Sequence, residues 1–202
     1  MRELGLDGRT QVVACDAHGG MFAARLWWLL RWLGHVAVAV LDGGLPAWIG
    51  AGGEVTDAIP AARGKGSFLE RPALVPTVSV ERILAGLDTG TLLVVDARSP
   101  DRFRGENETL DPVGGHIPGA ENRSFRENLE ADQRFKSPEV LRREFEALLR
   151  GRPVGESVMQ CGSGVTACHN LLAMEVAGLP GAALYPGSWS EWCSDPGRPV
   201  AR

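Results

Sequence analysis

The sequence predicts an α/β protein built on parallel sheets, and three observations support this prediction. Short apolar runs alternate with longer helical patterns along the 202 residues, and parallel strands need such crossover helices between them. One strand–loop–helix pattern occurs twice, near the two ends of the chain. The composition, with 44% hydrophobic and 23% charged residues, is that of ordinary globular proteins and excludes disordered and fibrous classes.

The first part of the chain reads as strand, helix and strand. Residues 11–15 are strand-like, and residues 22–34 form an apolar helical pattern that ends at a glycine, the residue type that commonly stops a helix. A short strand then leads to a Gly-rich turn at residues 41–48.

A linker is predicted at residues 58–76, because Pro60 and Pro72 interrupt them and no apolar periodicity is present. Beyond it the alternation resumes, with a polar, Gly- and Pro-rich loop between residue 96 and Gly119. The other predicted elements are helices at residues 80–87, 137–149 and 166–177, and strands at residues 91–96, 157–160 and 182–185.

Residues 12–48 align with residues 157–192 as two copies of one pattern. Each copy has a strand, a Gly-containing loop, an apolar helix ending at a glycine, a short strand and a turn. The spacing from Asp16 to the closing tryptophan is 32 residues, and from Cys161 to its counterpart it is 31. The first copy therefore has Asp16 where the second has Cys161.

This repeat predicts a partial first unit at residues 1–57, a linker at 58–76 and a complete second unit at 77–202. The first unit is expected to be incomplete, because its strand begins almost at the first residue with no earlier strand to pair with it.

Net charge and cysteine usage exclude several classes of function. A net charge of −4 argues against a surface that coats nucleic acid. The longest apolar stretch, residues 22–33, contains two arginines and is too short to span a bilayer, and no signal peptide is visible. Four scattered cysteines form neither a disulfide framework nor a zinc motif. We therefore expect a cytoplasmic protein with free thiols, no metal and no cofactor.

The most informative motif is Cys161-Gly-Ser-Gly-Val-Thr166, between a predicted strand and a predicted helix. Two glycines allow successive backbone N–H groups to face a common centre, and the helix start adds unpaired donors. Such donors favour a thiolate over a thiol, so we expect Cys161 to be the nucleophile. The alternative is a buried structural cysteine, which is our interpretation of Cys168, Cys15 and Cys193.

A cysteine loop that holds an anion serves two chemistries. Phosphoryl transfer needs an arginine that closes the loop and clamps the transferring oxygens, but Ala167 follows Thr166 here. Sulfur transfer needs a thiolate that attacks an electrophilic sulfur and holds it as a persulfide. A ring of backbone N–H groups without a bulky arginine suits that larger anion. The residues therefore favour sulfur transfer over a phosphatase.

The cysteine motif, Gly114-Gly-His-Ile-Pro-Gly-Ala120 and Tyr185-Pro-Gly-Ser-Trp-Ser-Glu-Trp192 together resemble the two-domain rhodanese family of sulfurtransferases. The resemblance covers nearly the whole chain. It implies tandem rhodanese-like, doubly wound parallel sheets, with the first domain incomplete and inactive and the second catalytic. The cysteine loop resembles the 3-mercaptopyruvate branch more than the thiosulfate branch, whose loop carries basic residues.

The resemblance also implies a substrate-binding set around the cysteine. Arg102 matches a family residue that contacts the anionic substrate, and an arginine fork suits a carboxylate or sulfonate. Arg98 is a second candidate, although its place just past the strand favours an internal salt bridge. The loop residues expected at the substrate are Gly162, Ser163, Gly164, Val165 and Thr166, of which Ser163 would orient a carboxylate or relay a proton.

Two further residue patterns bear on the substrate. Residues 106–111 contain only acidic and neutral side chains, where the 3-mercaptopyruvate branch often has a second arginine, so thiosulfate stays open as a donor. His116, in the Gly-His-Ile-Pro motif, is interpreted as a structural hydrogen-bonding residue rather than a general base.

The sequence thus predicts a sulfurtransferase that moves a sulfane sulfur from 3-mercaptopyruvate or thiosulfate to cyanide or a thiol through a Cys161 persulfide. Its partners would be a small anionic donor and a thiophilic acceptor, with no nucleic acid and no membrane, and its oligomeric state is left open. The alternative is a non-catalytic rhodanese-like binding or scaffold module, because the family's cleft normally lies between two complete domains.

Overall fold

Two parallel sheets organise the chain. The computed structural model describes residues 1–59, 61 and 64–202. The strands are β1 (Val12–Ala14), β2 (Val38–Val40), β3 (Leu93–Asp96), β4 (Glu121–Asn122), β5 (Ser157–Gln160) and β6 (Ala183–Leu184). One sheet pairs β1 with β2, and the other has the order β4-β3-β5-β6, with every pair parallel. The predicted α/β class with parallel sheets is confirmed.

Helices connect these strands. Serine residues with proline at the first helical position begin two of them, which is the usual N-terminal chemistry of a helix. The α-helices are α1 (Ala23–Trp32), α2 (Gly44–Gly50), α3 (Val80–Thr89), α4 (Pro100–Phe103), α5 (Pro138–Leu149), α6 (Ala167–Val176) and α7 (Ser188–Cys193). Short 3-10 helices lie at Arg2–Leu4, Phe125–Asn128 and Val154–Glu156.

Three of these helices correct the sequence prediction. The turns predicted at residues 41–48 and 185–192 are largely helical, as α2 and α7, and α4 lies within the predicted polar loop. Left-handed backbone at Gly44 (φ 58°) and Ser188 (φ 54°) opens α2 and α7. The Gly- and Pro-rich sequence therefore marks a sharp bend into a helix, and proline in a first turn does not prevent a helix.

The four-stranded sheet has a hydrophobic core on each face. Val95, Met159 and Leu184 pack on one face with α5, α6 and two tryptophans of α1, Trp27 and Trp28. Val94 and Val158 pack on the other face with α3 and α7. Helix α5 buries Leu141, Phe145 and Leu149 at every fourth position, and each such side chain contributes about 1.5–3 kcal/mol. Helix α1 thus shares a core with the larger sheet.

The register of β3 and β5 aligns the ends of the two strands. Leu93 pairs with Ser157 and Asp96 with Gln160, and Ala97 N–H donates to the Gln160 carbonyl at 2.8 Å. Because the strands are parallel, the loops that follow them leave the sheet at the same edge. That edge carries Cys161.

The predicted linker at residues 58–76 has neither helix nor strand in its described part, and its Pro60 lies outside the described residues. Residues 64–76 contact the body of the protein. Phe68 is buried, its N–H donates to the Leu6 carbonyl, and Leu184 N–H donates to the Pro76 carbonyl. In the described ranges, no helix is both long and apolar enough to cross a membrane.

Candidate active site

Cys161 lies at the carboxyl end of β5 and begins a loop, residues 161–166, that leads into α6. We call it the Cys161 loop. Cys161 is 2% exposed, and its N–H donates to the Ser188 hydroxyl at 3.1 Å. The strand end thus fixes the cysteine against the start of α7.

The carbonyls of the Cys161 loop are bound from outside. Trp189 N–H donates to the Cys161 carbonyl and Ser190 N–H to the Gly162 carbonyl, both at 2.9 Å. The Arg25 guanidinium, from α1, donates to the Gly164 carbonyl at 3.2 Å. In a trans peptide the C=O and the following N–H point in opposite directions. These contacts therefore turn three N–H groups of the loop away from α7 and α1.

The N–H groups that follow Cys161 in the loop are left without acceptors among the described residues. Within the described part of the chain, none of the N–H groups of residues 162–167 donates to a protein oxygen. Gly164 has left-handed backbone (φ 74°), and a Cβ there would lie 2.7 Å from the Pro186 carbonyl oxygen. A glycine is required at this position, because both the conformation and the space exclude a side chain. Free N–H groups at the start of a helix are an arrangement that suits an anion.

A second loop of the same kind follows β1. We call residues 16–22 the Asp16 loop. The Asp16 carboxylate accepts hydrogen bonds from the N–H groups of His18, Gly20, Phe22 and Ala23 at 2.8–2.9 Å. Burial opposes ionisation of Asp16, but these four donors outweigh it and hold the pKa of the carboxyl below its usual value. In the Asp16 loop, backbone N–H groups between a parallel strand and a helix therefore surround a carboxylate.

A cleft of about 930 Å³ opens above Cys161. The Asp16 loop contributes Met21 and Phe22 to its lining. Of the residues predicted to form the site, the structure brings Cys161, Gly162, Ser163, Val165, Thr166, Arg98 and Arg102 to the cleft wall, whereas Gly164 is buried behind it. Ser163 is exposed.

Arg98 forms the internal ion pair expected from its position. Its guanidinium, 1% exposed, contacts Asp96 at 2.7 Å and Glu108 at 3.2 Å. It also lies 4.7 Å from the centre of the Trp189 ring, a cation–π distance. Its charge is thus used within the protein, and only part of the residue reaches the cleft.

Arg102 is more accessible, but it is also paired. Its side chain is 20% exposed and contacts Glu108 at 2.8 Å and Asp111 at 3.5 Å. The guanidinium lies against the Cys161 loop, since a Cβ on Gly162 would lie 3.6 Å from Arg102 Nη2. Asp111 in turn accepts a hydrogen bond from the Ser190 hydroxyl at 2.7 Å. Arg102 therefore lies beside the loop within an acidic network.

The other histidine and cysteine predictions have mixed outcomes. His116 Nδ1 lies 2.8 Å from the Phe103 carbonyl, and its ring stacks on Phe103, which confirms a structural contact. Cys168 is fully buried, and burial raises the pKa of its thiol to about 12, so it is confirmed as a core residue. Cys193 is buried, but the packing role predicted for Cys15 is wrong, because Cys15 is exposed.

Several residues that line the cleft, Arg126 among them, are absent from the sequence prediction. Arg126 is exposed on the 3-10 helix Phe125–Asn128 and lines the cleft. No local motif marks it, because it lies 35 residues before Cys161 in the chain and only the fold places both residues in the cleft lining. In the ranges that the structure describes, no group of three or more His, Cys, Asp or Glu residues could hold a metal ion.

A cysteine at the end of a parallel strand, in a loop that binds anions, defines a class of thiol-based active sites. Comparison with known proteins identifies the family. The rhodanese-like domain matches residues 1–51 and again 79–195. The chain therefore belongs to the rhodanese family.

Named relatives agree with this assignment. The chain is 52% identical, over 98% of its length, to a Pseudomonas aeruginosa protein named "Probable 3-mercaptopyruvate sulfurtransferase". It is 37% identical, over 94% of its length, to the thiosulfate sulfurtransferase of Mus musculus. The solved 3-mercaptopyruvate sulfurtransferase from Leishmania major superposes with a TM-score of 0.81 at 31% identity over 96% of the chain. The chain spans 69%, 65% and 54% of these three proteins, respectively.

Proposed function

We propose that this protein is a sulfurtransferase whose Cys161 thiolate takes a sulfane sulfur from a small anionic donor and passes it to a thiophilic acceptor. The observation that carries the proposal is the Cys161 loop, in which the N–H groups of residues 162–166 have no acceptor among the described residues and the cysteine faces a cleft. The names of the relatives support the same chemistry, with 3-mercaptopyruvate or thiosulfate as donor.

The first half-reaction forms a persulfide. With 3-mercaptopyruvate, the Cys161 thiolate attacks the donor sulfur, an S–S bond forms and the donor's C–S bond breaks. The electron pair of that bond leaves as the pyruvate enolate, which takes up the proton from the donor thiol. With thiosulfate, the same attack releases sulfite. In both cases the outer persulfide sulfur carries the negative charge, which the N–H groups of the Cys161 loop stabilise.

The second half-reaction regenerates the free Cys161 thiolate. Cyanide or a thiolate attacks the outer sulfur, the S–S bond breaks, and its electron pair restores the Cys161 thiolate. Ser163, exposed in the cleft wall, is our candidate for orienting the donor carboxylate or carrying a proton to the enolate. The relatives favour this enzyme over a non-catalytic scaffold module, and Ala167, in place of a closing arginine, disfavours a phosphatase.

Turnover of single-cysteine variants tests the proposal. Cys161→Ser is expected to reduce sulfur transfer to cyanide by at least about a thousandfold with either donor, because the nucleophile is lost. The matched control is Cys168→Ser, seven residues further on and fully buried, which is expected to keep wild-type turnover. Retained turnover in the Cys161 variant would exclude the mechanism, and no turnover in the wild type would favour the scaffold function.

We also propose that residues 1–57 belong to an inactive rhodanese-like domain, that residues 58–76 link it to a catalytic rhodanese-like domain at residues 77–202, and that the protein acts in the cytoplasm. Matching contacts support the first part. Leu45 N–H donates to the Asp16 carbonyl at 2.9 Å, as Trp189 N–H does to the Cys161 carbonyl. In both units the donor follows a left-handed residue that opens a short helix.

A further inference from the structure

Three arginines are the cations that line the cleft within the described residues. Two of them, Arg98 and Arg102, belong to one ionic cluster with Asp96, Glu108 and Asp111. The side chains of the three acids are at most 8% exposed. Two guanidinium groups face three carboxylates, so the cluster has a net charge of −1 and offers no net attraction to a donor anion.

The geometry of the cluster supports this charge count. The Arg102 Nε and Nη2 atoms donate to Glu108 at 2.8–3.1 Å. Burial opposes the ionisation of Glu108, but hydrogen bonds from Arg102 and two backbone N–H groups outweigh it, so the pKa of Glu108 is below its usual value. Glu108, which contacts both Arg98 and Arg102, therefore stays ionised at neutral pH and keeps neutralising the two arginines.

Arg126 is the third arginine, and its surroundings differ. In the part of the chain that the structure describes, no carboxylate lies within 4 Å of its guanidinium. The adjacent Glu127 accepts a hydrogen bond from Ser124 N–H instead. The Arg126 guanidinium lies 5.9 Å from the Phe125 ring, which also lines the cleft.

We infer that Arg126 is the specificity-determining cation of the cleft, and that it binds the carboxylate or sulfonate end of the sulfur donor. This inference rests on the proposed function, since it names the contact for the donor of that reaction. Asp111 has the opposite effect, because its carboxylate lies beside Arg102 and repels the same anion. The preference of the cleft for anionic over neutral ligands thus depends on the balance between Arg126 and Asp111.

Alkylation of Cys161 measures this balance without sulfur transfer. Iodoacetate and iodoacetamide react with a thiolate in the same way, but only iodoacetate is an anion. The ratio of their rate constants, followed by mass spectrometry on the Cys161 peptide, therefore reports the electrostatic attraction in the cleft. Arg126→Gln is expected to lower this ratio about fivefold, the size of a solvent-exposed ion pair. Asp111→Asn, which keeps an acceptor for Ser190, is expected to raise it.

The matched control is Arg104→Gln, which removes the same charge two residues beyond Arg102. Arg104 is exposed, pairs with Glu106 and does not line the cleft, so its ratio is expected to stay at the wild-type value. The exposed Cys15 thiol provides the same ratio away from the cleft. An equal fall in the Arg104 and Arg126 variants, or no fall in the Arg126 variant, overturns the inference.

Donor kinetics then complete the test. With 3-mercaptopyruvate and with thiosulfate, Arg126→Gln is expected to raise KM about fivefold and leave kcat near wild type, because the contact is the same in ground and transition states. A loss of kcat at unchanged KM would contradict a donor-binding role. If the wild type shows no turnover but the alkylation ratio falls as expected, the proposed function fails while the anion contact stands.

Discussion

The Asp16 loop and the Cys161 loop have the same place in the fold, but they differ in what they hold. Each follows a parallel strand and leads into an apolar helix. The Asp16 loop contains its own anion, and four N–H groups are bound to that carboxylate. The corresponding N–H groups of the Cys161 loop are free to bind an anion that arrives from the cleft. One loop is therefore filled and the other is open.

The two loops also differ in what holds their shape. The Asp16 carboxylate organises its loop from within. Within the described residues, no N–H group of the Cys161 loop donates to the Cys161 sulfur, and the carbonyls of the loop are bound by α7, Arg25 and the Cys168 thiol. A loop that leaves its N–H groups free for an incoming anion therefore depends on contacts from other elements to keep its conformation. One of these contacts comes from Arg25, in the first half of the chain. Substitutions of the residues that hold each loop should therefore affect the two loops independently.

The largest expected effect concerns His169, which connects the two loops. It lies on α6, just after the Cys161 loop, and its Nε2–H donates to the Gly19 carbonyl of the Asp16 loop at 2.9 Å. The Asn128 Nδ2 group, a donor, lies 3.1 Å from His169 Nδ1. A proton added to His169 Nδ1 would therefore face another N–H group. Burial lowers the pKa of His169 to about 4. The unfolded chain, with an ordinary histidine pKa near 6.5, therefore takes up the proton first.

Because the unfolded chain binds this proton more readily than the folded protein, the free energy of unfolding decreases as the pH falls. This contribution to the free energy of unfolding is constant above about pH 6.5 and is lost as pH falls towards 4, by about 3 kcal/mol. Urea unfolding of wild type and His169→Gln across this range measures it, and the difference between them should shrink as pH falls. His18→Gln, at an exposed histidine, should follow the wild-type curve. Parallel curves for wild type and His169→Gln would refute the assignment.

A smaller effect is expected from emptying the Asp16 loop. Asp16→Ala leaves four N–H groups without their acceptor and should lower the free energy of unfolding by about 2 kcal/mol. The emptied loop should also acquire an anion site, so sulfate should restore stability more than chloride at equal ionic strength. Asp42→Ala removes the acceptor of one N–H, that of Phe135, and should lose about 1 kcal/mol without specific rescue by sulfate. Equal rescue of both variants would contradict the comparison.

The smallest effect is expected from the external support of the Cys161 loop. Arg25→Met keeps the side-chain length but removes one of two donors to the Gly164 carbonyl, the other being the Cys168 thiol at 3.2 Å, so the Val165 N–H is held less firmly. We expect kcat for persulfide formation to fall about tenfold, less than the loss of a whole oxyanion donor, with KM little changed. Arg31→Met, on the same helix and paired with Glu175, is the control. A change in KM alone would show that Arg25 acts on the donor rather than on the loop.

Much of this fold could be predicted from the sequence because its signals are local. The buried strand 157–160, the glycines of the Cys161 loop and the apolar run of α6 lie next to each other in the chain. The helices α2 and α7 were mistaken for turns, because glycine, proline and serine are common to both structures. Only the left-handed residue at the start of each helix distinguishes the two, and the sequence does not reveal its conformation.

The candidate site was harder to predict wherever a contact joins distant parts of the chain. Arg25 and Gly164 are separated by 139 positions, and no spacing rule relates them. The acidic residues within 106–111 are evident in the sequence. That Glu108 and Asp111 pair with Arg102 depends on how this loop folds back, which the sequence does not show. No local sequence pattern distinguishes Arg126 from other surface arginines. These features are set by tertiary packing, which periodicity and motifs do not describe.

The most direct test of the central claim is the mass of the Cys161 peptide after the protein has been incubated with a sulfur donor. We expect Cys161 to gain one sulfur atom, cyanide to remove it, and the Cys161→Ser variant to show no such gain. The exposed Cys15 should stay unmodified, because it has no ring of N–H groups to stabilise a persulfide. Sulfur on Cys15 alone, or no gain with either 3-mercaptopyruvate or thiosulfate, would contradict the account.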